Sequence, residues 1–411
     1  MSPNDLFKII ILMIVIDFIV DTLLNYLNSR RYTTQLPEEL SDVYPSEEYA
    51  KSIAYKQINY KFNNVSSVFS VVVTLAFIFG GGFEWLDQWA RSYSDNEVII
   101  SLLFFGAIAF GNDILSLPFS YYQVFVIEEQ FGFNKMTPKT FFLDKLKGWA
   151  MMIVVGGAII ATIVWFYQWA GTNFWWYTWI LITLFSLVMN MFYARLIVPL
   201  FNKQAPLKTG TLRDQIERYA AKVGFNLSNI FVIDGSKRST KANAYFSGMG
   251  SEKRITLYDT LIDDLDEKEI VAVLAHEVGH YKKNHIIVNL IVSTLLTGLT
   301  LWILSLFIDN PILSEALGVS QHSFHIALIV FGILYSPISE ITGLLMNYMS
   351  RKFEYQADDF AKNTYEAEPL ITSLKKLSKN SLSNLSPHPA YVFVHYSHPT
   401  LLERIRNLRN P

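Results

Sequence analysis

Seven apolar runs, near residues 6–27, 64–82, 98–118, 149–170, 174–198, 286–308 and 324–347, each approach the roughly 20 residues a helix needs to cross about 30 Å of hydrocarbon. Lipid offers no partner to a backbone N–H or C=O, so such runs are expected to form helices that bond internally. Composition agrees. Of 411 residues, 51% are hydrophobic and only 17% charged. Mean hydropathy is +0.25. A compact soluble core cannot hide that much apolar surface, so part of it should face lipid. The first run contains Asp17 and Asp21, and no small-residue cleavage site follows it. It therefore reads as a span and not as a signal peptide.

Loop charges set the expected orientation. The segment after the first run holds Arg30, Arg31, Lys51, Lys56 and Lys61, and the one after the third holds Lys135, Lys139, Lys145 and Lys147. On the other side, 83–97 has only Arg91, while 171–173 and 309–323 have no Lys or Arg. The N-terminus should lie in the lumen or periplasm, and two polar segments, about 199–285 and 348–411, in the cytosol. The chain divides accordingly into 1–198 with five spans, 199–285, 286–347 with two spans, and 348–411.

The charge balance, 34 Lys+Arg against 36 Asp+Glu, implies no polyanionic partner and no nucleic acid. The chain has no cysteine, which excludes disulfides, thiolate metal sites and a cysteine nucleophile. Asp17, Asp21, Asn112, Asp113, Asn190, Arg195, Asn289, Glu340 and Asn347 fall at or near membrane depth. Such groups are costly there unless paired or wet. Pairing between helices or interfacial snorkelling, and a polar interior enclosed by the spans, are both open readings.

The polar segments carry the chemistry. Residues 210–224 read as an amphipathic helix stopped by Gly224, and 230–233 as a strand followed by a turn at Asp234-Gly235. Asn243 to Phe246 and Arg254 to Tyr258 read as strands around a Gly248–Gly250 turn. Asp266 and Glu269 have the spacing of a capping box. The helix they open runs to about Lys283 and contains His276-Glu277-Val278-Gly279-His280. Histidines four apart share a helix face and can converge on one metal. Glu277 can then serve as general base towards a water activated by that metal. Zinc suits imidazole and carboxylate donors and lowers the pKa of bound water. By composition alone this five-residue pattern arises in roughly 0.007 of such chains.

A third ligand is needed. His285, five residues beyond His280, turns off the ligand face. Glu354 is the better candidate, with Asp358 four residues on and on the same face, placed to orient a ligand imidazole.

These residues match a known pattern. HExxH at 276–280 with Glu354-x-x-Ala357-Asp358 resembles the integral-membrane gluzincin proteases. Seven spans, with HExxH after the fifth and the Glu motif after the seventh, are similar to the CAAX prenyl proteases. Asp234 to Ser239, Asn243-Ala244-Tyr245-Phe246, and Ser397-His398-Pro399 with Arg404 extend the resemblance over essentially the whole chain. It implies a mainly α polytopic membrane protein. Seven helices would form a barrel around a polar chamber, and a cytosolic gluzincin-like domain with a small β-sheet would cap it. It implies one zinc per chain on His276, His280 and Glu354, with Glu277 as base. His398 would hold substrate or stabilise the tetrahedral intermediate, and Asp358 and Arg404 would support the site. Asn243, Ala244 and Tyr245 would bind substrate, the first two on an edge strand that pairs with its backbone. The reaction would remove the last three residues of a prenylated CAAX protein or peptide. The chain would be a monomer, in the endoplasmic reticulum membrane if eukaryotic and the inner membrane if bacterial. His322, His325, His388 and His395 match nothing and read as structural. Two alternatives remain: a membrane quality-control protease of HtpX type, and a seven-helix receptor or transporter.

Overall fold

The structure, a computed structural model, describes residues 1–33, 36–225, 229–248 and 253–410. Helix α1, Pro3–Ser29, opens on a capping box between Ser2 and Asp5 with proline in its first turn. Helix α2, Ser46–Phe79, ends at Gly80, and left-handed Gly81 turns the chain into the short α3, Gly82–Arg91. Helix α4, Glu97–Tyr122, is capped by Asn96 and carries Pro118, whose ring denies the helix one N–H. It continues as a wider π-turn over Gln123–Glu128. Helix α5, Pro138–Met151, is capped by Thr137 and runs through a second π-turn, Met152–Gly156, into α6, Gly157–Ala170. The helix therefore begins well before residue 149, where apolarity alone places the start. Gly171, at φ +54°, breaks it before α7, Phe174–Leu196.

The first polar segment follows. After α8, Val198–Phe201, come β1, Gln204–Pro206, and α9, Thr211–Lys222. Then come β2, Ile230–Ile233, β3, Ala244–Ser247, and β4, Arg254–Tyr258. The sheet order is β1-β2-β4-β3. The two central strands run parallel, Ile230 opposite Ile255, and each outer strand is antiparallel to its neighbour. Three strands match the sequence reading. β1 is too short, and too early interrupted by Pro206, for alternation to show. Of the turn expected at Gly248–Gly250, residues 249 and 250 lie outside the described residues. Helices α10, Asp259–Asp264, and α11, Glu267–Lys282, complete the segment, and the capping box at Asp266 forms with both bonds made.

Helix α12, His285–Phe307, leads through α13, Ile312–Glu315, to α14, Phe324–Thr364. The last apolar run and the Glu354 motif are thus one 41-residue helix, about 60 Å long at 1.5 Å per residue. Helices α15, Ala367–Asn380, α16, Pro389–His395, and α17, Leu401–Arg409, close the chain.

Among the described residues, five helical stretches have the length and apolarity to cross a membrane: Glu48–Phe79, Glu97–Glu128, Pro138–Phe201, His285–Phe307 and Phe324–Thr364. In the most apolar windows of these stretches only 6% to 17% of residues are buried, as suits a protein whose solvent there is lipid. Helix α1 packs on α2 and α14, α4 on α6, α6 on α7, α7 on α12, and α12 on α14. Phe62 and Phe69 of α2 meet Phe119 of α4, so the neighbours close a ring. Several polar groups that the sequence places at or near membrane depth are paired. Asp113 accepts from Lys145 at 2.6 Å and Trp149 at 2.8 Å, and Asp17 from Ser336 at 3.0 Å. Buried His325 lies 2.7 Å from Asp87 and 3.2 Å from Ser101, tying together α3, α4 and the start of α14. The polar segments share a separate core in which Leu257, Ile270, Leu274, Ile371 and Ile405 are almost wholly buried.

Candidate active site

Four stretches far apart in the chain meet in a cleft of about 430 Å³ lined by Ala242, Asn243, Ala244, His276, Glu277, His280, Glu354, His398 and Arg404. Helix α11 presents both histidines from one face. Helix α14 crosses it where Gly279 has no side chain. A Cβ added there would stand 3.0 Å from the Ala357 Cα and 3.1 Å from both the Ala357 carbonyl oxygen and the Phe360 Cβ. The glycine inside the histidine motif is what lets Glu354 come within reach.

The donor atoms form a triangle. His276 Nε2 lies 3.1 Å from His280 Nε2 and 3.4 Å from Glu354 Oε2, and His280 Nε2 lies 3.3 Å from Glu354 Oε1. Two ligand atoms about 2.0–2.1 Å from a tetrahedral ion stand roughly 3.3 Å apart. Glu354 Oε2 is buried with no hydrogen-bond partner, which a cation would supply. Both imidazoles are turned to offer Nε2. Asp358 Oδ1 accepts from His276 Nδ1 at 2.8 Å, and Arg404 grips Asp358 through Nε at 2.9 Å and Nη2 at 2.6 Å. Burial and the Arg404 charge push the His276 pKa down, but the Asp358 and Glu354 acceptors outweigh them and carry it up to about 9. The cluster demands positive charge. These residues fit a metal ion.

His280 is held by a pair that the sequence reading missed. His285 Nδ1 lies 3.0 Å from His280 Nδ1, and His285 Nε2 lies 2.8 Å from Gln356 Oε1. The His285 ring stacks on Phe353, centroids 4.2 Å apart. His285 is indeed off the ligand face. However, α11 stops at Lys282, and Asn284, at φ +59°, opens a new helix that folds His285 back against the outer nitrogen of His280. An asparagine, tolerant of left-handed backbone, just past the last apolar turn was the available signal.

His398 Nε2 lies 3.3 Å from Glu354 Oε1, its Nδ1 lies 2.9 Å from Ser397 Oγ, and its side chain is 62% exposed. Strand β3 is the sheet edge on the cleft side. Tyr258 N–H donates to Asn243 C=O at 3.1 Å, so by antiparallel alternation Ala244 turns its backbone groups to the free edge. Asn243 Oδ1 accepts from the Ala244 N–H at 2.8 Å. Tyr245 is not brought in. Strand alternation sends its ring to the opposite face, against Ala194, Val198, Ile233 and Tyr258. By the same alternation its backbone groups face Thr256 of β4 and not the free edge.

Comparison with known proteins agrees with this geometry. Residues 25–203 match the family model described as "CAAX prenyl protease N-terminal, five membrane helices", and residues 206–411 match "Peptidase family M48". The chain belongs to peptidase family M48. It is similar to a CAAX prenyl protease 1 homologue of Oryza sativa, 37% identical over 91% of this chain and 90% of that one. It is 34% identical to CAAX prenyl protease 1 of Saccharomyces cerevisiae over 93% and 91% of the two chains. The crystal structure of Ste24p from S. mikatae superposes with a TM-score of 0.94 at 33% identity, covering 98% of this chain and 99% of that one. The M48 chain is an integral-membrane metallopeptidase, which sets aside the receptor or transporter alternative.

Proposed function

We propose that this M48 peptidase removes the C-terminal tripeptide of prenylated CAAX proteins or peptides. One observation carries the reading: a single cleft joins a three-donor metal triangle, a free carboxylate and the open edge of a strand. The names of its relatives support the substrate class. The N-terminal match favours it over a quality-control protease of HtpX type.

His276, His280 and Glu354 would hold one zinc ion. When bound, zinc supplies a Lewis acid that polarises the scissile carbonyl and acidifies water. Glu277 takes the proton of the attacking water and passes it to the departing amine. His398, at the open rim, donates to the developing oxyanion. Asp358, braced by Arg404, keeps His276 in the tautomer that offers Nε2. Ala244 and the Asn243 side chain align the substrate backbone by strand addition, which registers a bond without demanding one sequence.

In the membrane, α1, α2, α4, α6, α7, α12 and α14 each cross once, and their ring encloses a polar chamber. The N-terminus is lumenal, and the site faces the cytosol from the endoplasmic reticulum membrane. The closed ring of neighbours and the Lys/Arg asymmetry of the loops support this. The units are 1–198, 199–285, 286–347 and 348–411. The second and fourth form the protease part.

The test is cleavage in detergent of a prenylated CAAX peptide and its unprenylated twin, with Glu277→Ala as blank. Glu277-dependent cleavage of the prenylated peptide alone is expected. Equal cleavage of both would leave a general membrane zinc protease and remove the prenyl group from the account.

A further inference from the structure

Four cations, Arg31, Arg351, Lys352 and Arg406, line one cavity of about 720 Å³ on the flank of α14. The cavity lies between α14, α16, α17 and the chain that follows α1. It is separate from the catalytic cleft. Its charge is not balanced from within. Arg406 is paired with Glu39 at 2.7 Å, and Glu403 is engaged in the capping box of α17. Arg351 donates to the Tyr396 carbonyl at 2.5 Å, and Lys352 lies over the Tyr348 ring at 4.7 Å. Among the described residues, Arg31, Arg351 and Lys352 have no carboxylate within 4.0 Å.

The rest of the wall is largely apolar. Tyr348 and Phe393 line it and are 48% and 56% exposed. Ile341, Leu345, Tyr348 and Lys352 follow one another at spacings of four, three and four, so they share one face of α14. Ile341 and Leu345 are 67% and 52% exposed. Along this face the order is aliphatic, aromatic, cation. That is the order of a helix leaving hydrocarbon through the headgroup layer. The cavity mouth is therefore at the bilayer surface on the side of the protease segments, and it combines surplus positive charge with an apolar approach.

We propose that this cavity binds an anionic phospholipid, its phosphate held by Arg31, Arg351 and Lys352 and an acyl chain lying along Ile341 and Leu345. A basic pocket at a helix end prefers a net anionic headgroup because each nearby Lys or Arg adds attraction that a zwitterion largely cancels. The bound lipid braces the outer side of the catalytic machinery. Tyr355, beside Glu354, lines the cavity, and so does α16, which precedes Ser397 and His398.

The test is native mass spectrometry of the full chain released from nanodiscs of equal phosphatidylserine and phosphatidylcholine. One phosphatidylserine per chain should be retained in preference to phosphatidylcholine. Arg31→Gln with Lys352→Gln should weaken that retention by roughly fivefold for each cation removed. Both residues are exposed, so the fold should survive, and an unchanged thermal midpoint checks this. The charge-conserving pair Arg31→Lys with Lys352→Arg should keep the lipid. Equal retention of the two lipids, or retention indifferent to the Gln variants, overturns the proposal. So does displacement of the lipid by millimolar inorganic phosphate, which would assign the cavity to a free anion.

Discussion

His285 Nδ1 stands 3.0 Å from His280 Nδ1, with the far nitrogen of His285 held 2.8 Å from the Gln356 amide oxygen. Only one of the two facing nitrogens can carry hydrogen. Gln356 Oε1 accepts, so His285 is protonated on Nε2, and its bare Nδ1 accepts from His280. His280 is thereby left with its lone pair on Nε2, pointing into the donor triangle. His276 reaches the same state by a different route, through Asp358 and Arg404. One imidazole is backed by an anion and the other by a neutral relay. His285→Ala should therefore lower metal affinity by about 10- to 100-fold, the range for lost outer-shell partners. Competition with a chromophoric chelator measures it, and affinity equal to wild type would show that the relay does not position the ligand.

Gly279 makes a second prediction, about the spacing of the helices. Its missing Cβ would press on Ala357 backbone atoms, which cannot rotate away. Gly279→Val should force α11 and α14 apart and widen the donor triangle. The expected cost is about 1–3 kcal/mol of stability, the usual range for overpacking, together with weakened metal binding. Ala357→Gly should not rescue it, because the contacts are to main chain and to Phe360. Thermal unfolding and metal titration of the single and double variants decide.

Much of this site is legible in the chain, and the reason is periodicity. The capping box at Asp266, the i, i+4 histidines and the Glu354–Asp358 pair all follow from helical spacing, and the structure forms each of them. What spacing cannot show is where a helix stops. The break at Asn284 redirects His285, and the uninterrupted α14 joins an apolar run to the Glu354 motif that composition separates. Tyr245 illustrates the complementary limit. A strand can be located from its residues, but which of its two faces meets the cleft depends on sheet order, and β3 is an edge only because β4 pairs with β2 on its other side.

Glu277 is half-buried in the cleft and is not part of the donor triangle. Glu277→Gln keeps the shape and removes the base. Metal content should stay at one ion per chain while turnover falls by about 10²- to 10⁴-fold, the usual contribution of general base catalysis. Loss of metal in this variant would make Glu277 a ligand, contrary to the geometry.

Metal removal should leave a pH signature as well as an inactive protein. With metal at about a thousandfold its Kd, the folded state gains about 4 kcal/mol by mass action, so a chelator should lower the thermal midpoint measurably. In the metal-free protein the two carboxylates attract a proton instead, and His276 is carried from 6.5 to about 9. A group whose pKa is higher folded than unfolded stabilises fully below the unfolded value and loses that contribution as pH rises through the folded one. The metal-free protein should therefore lose stability between pH 6.5 and about 9. The loaded protein, whose His276 holds metal through that range, should not show this loss. Paired thermal scans with and without chelator across that window are the measurement. Parallel pH profiles for the two forms would mean that His276 does not exchange a proton for the metal.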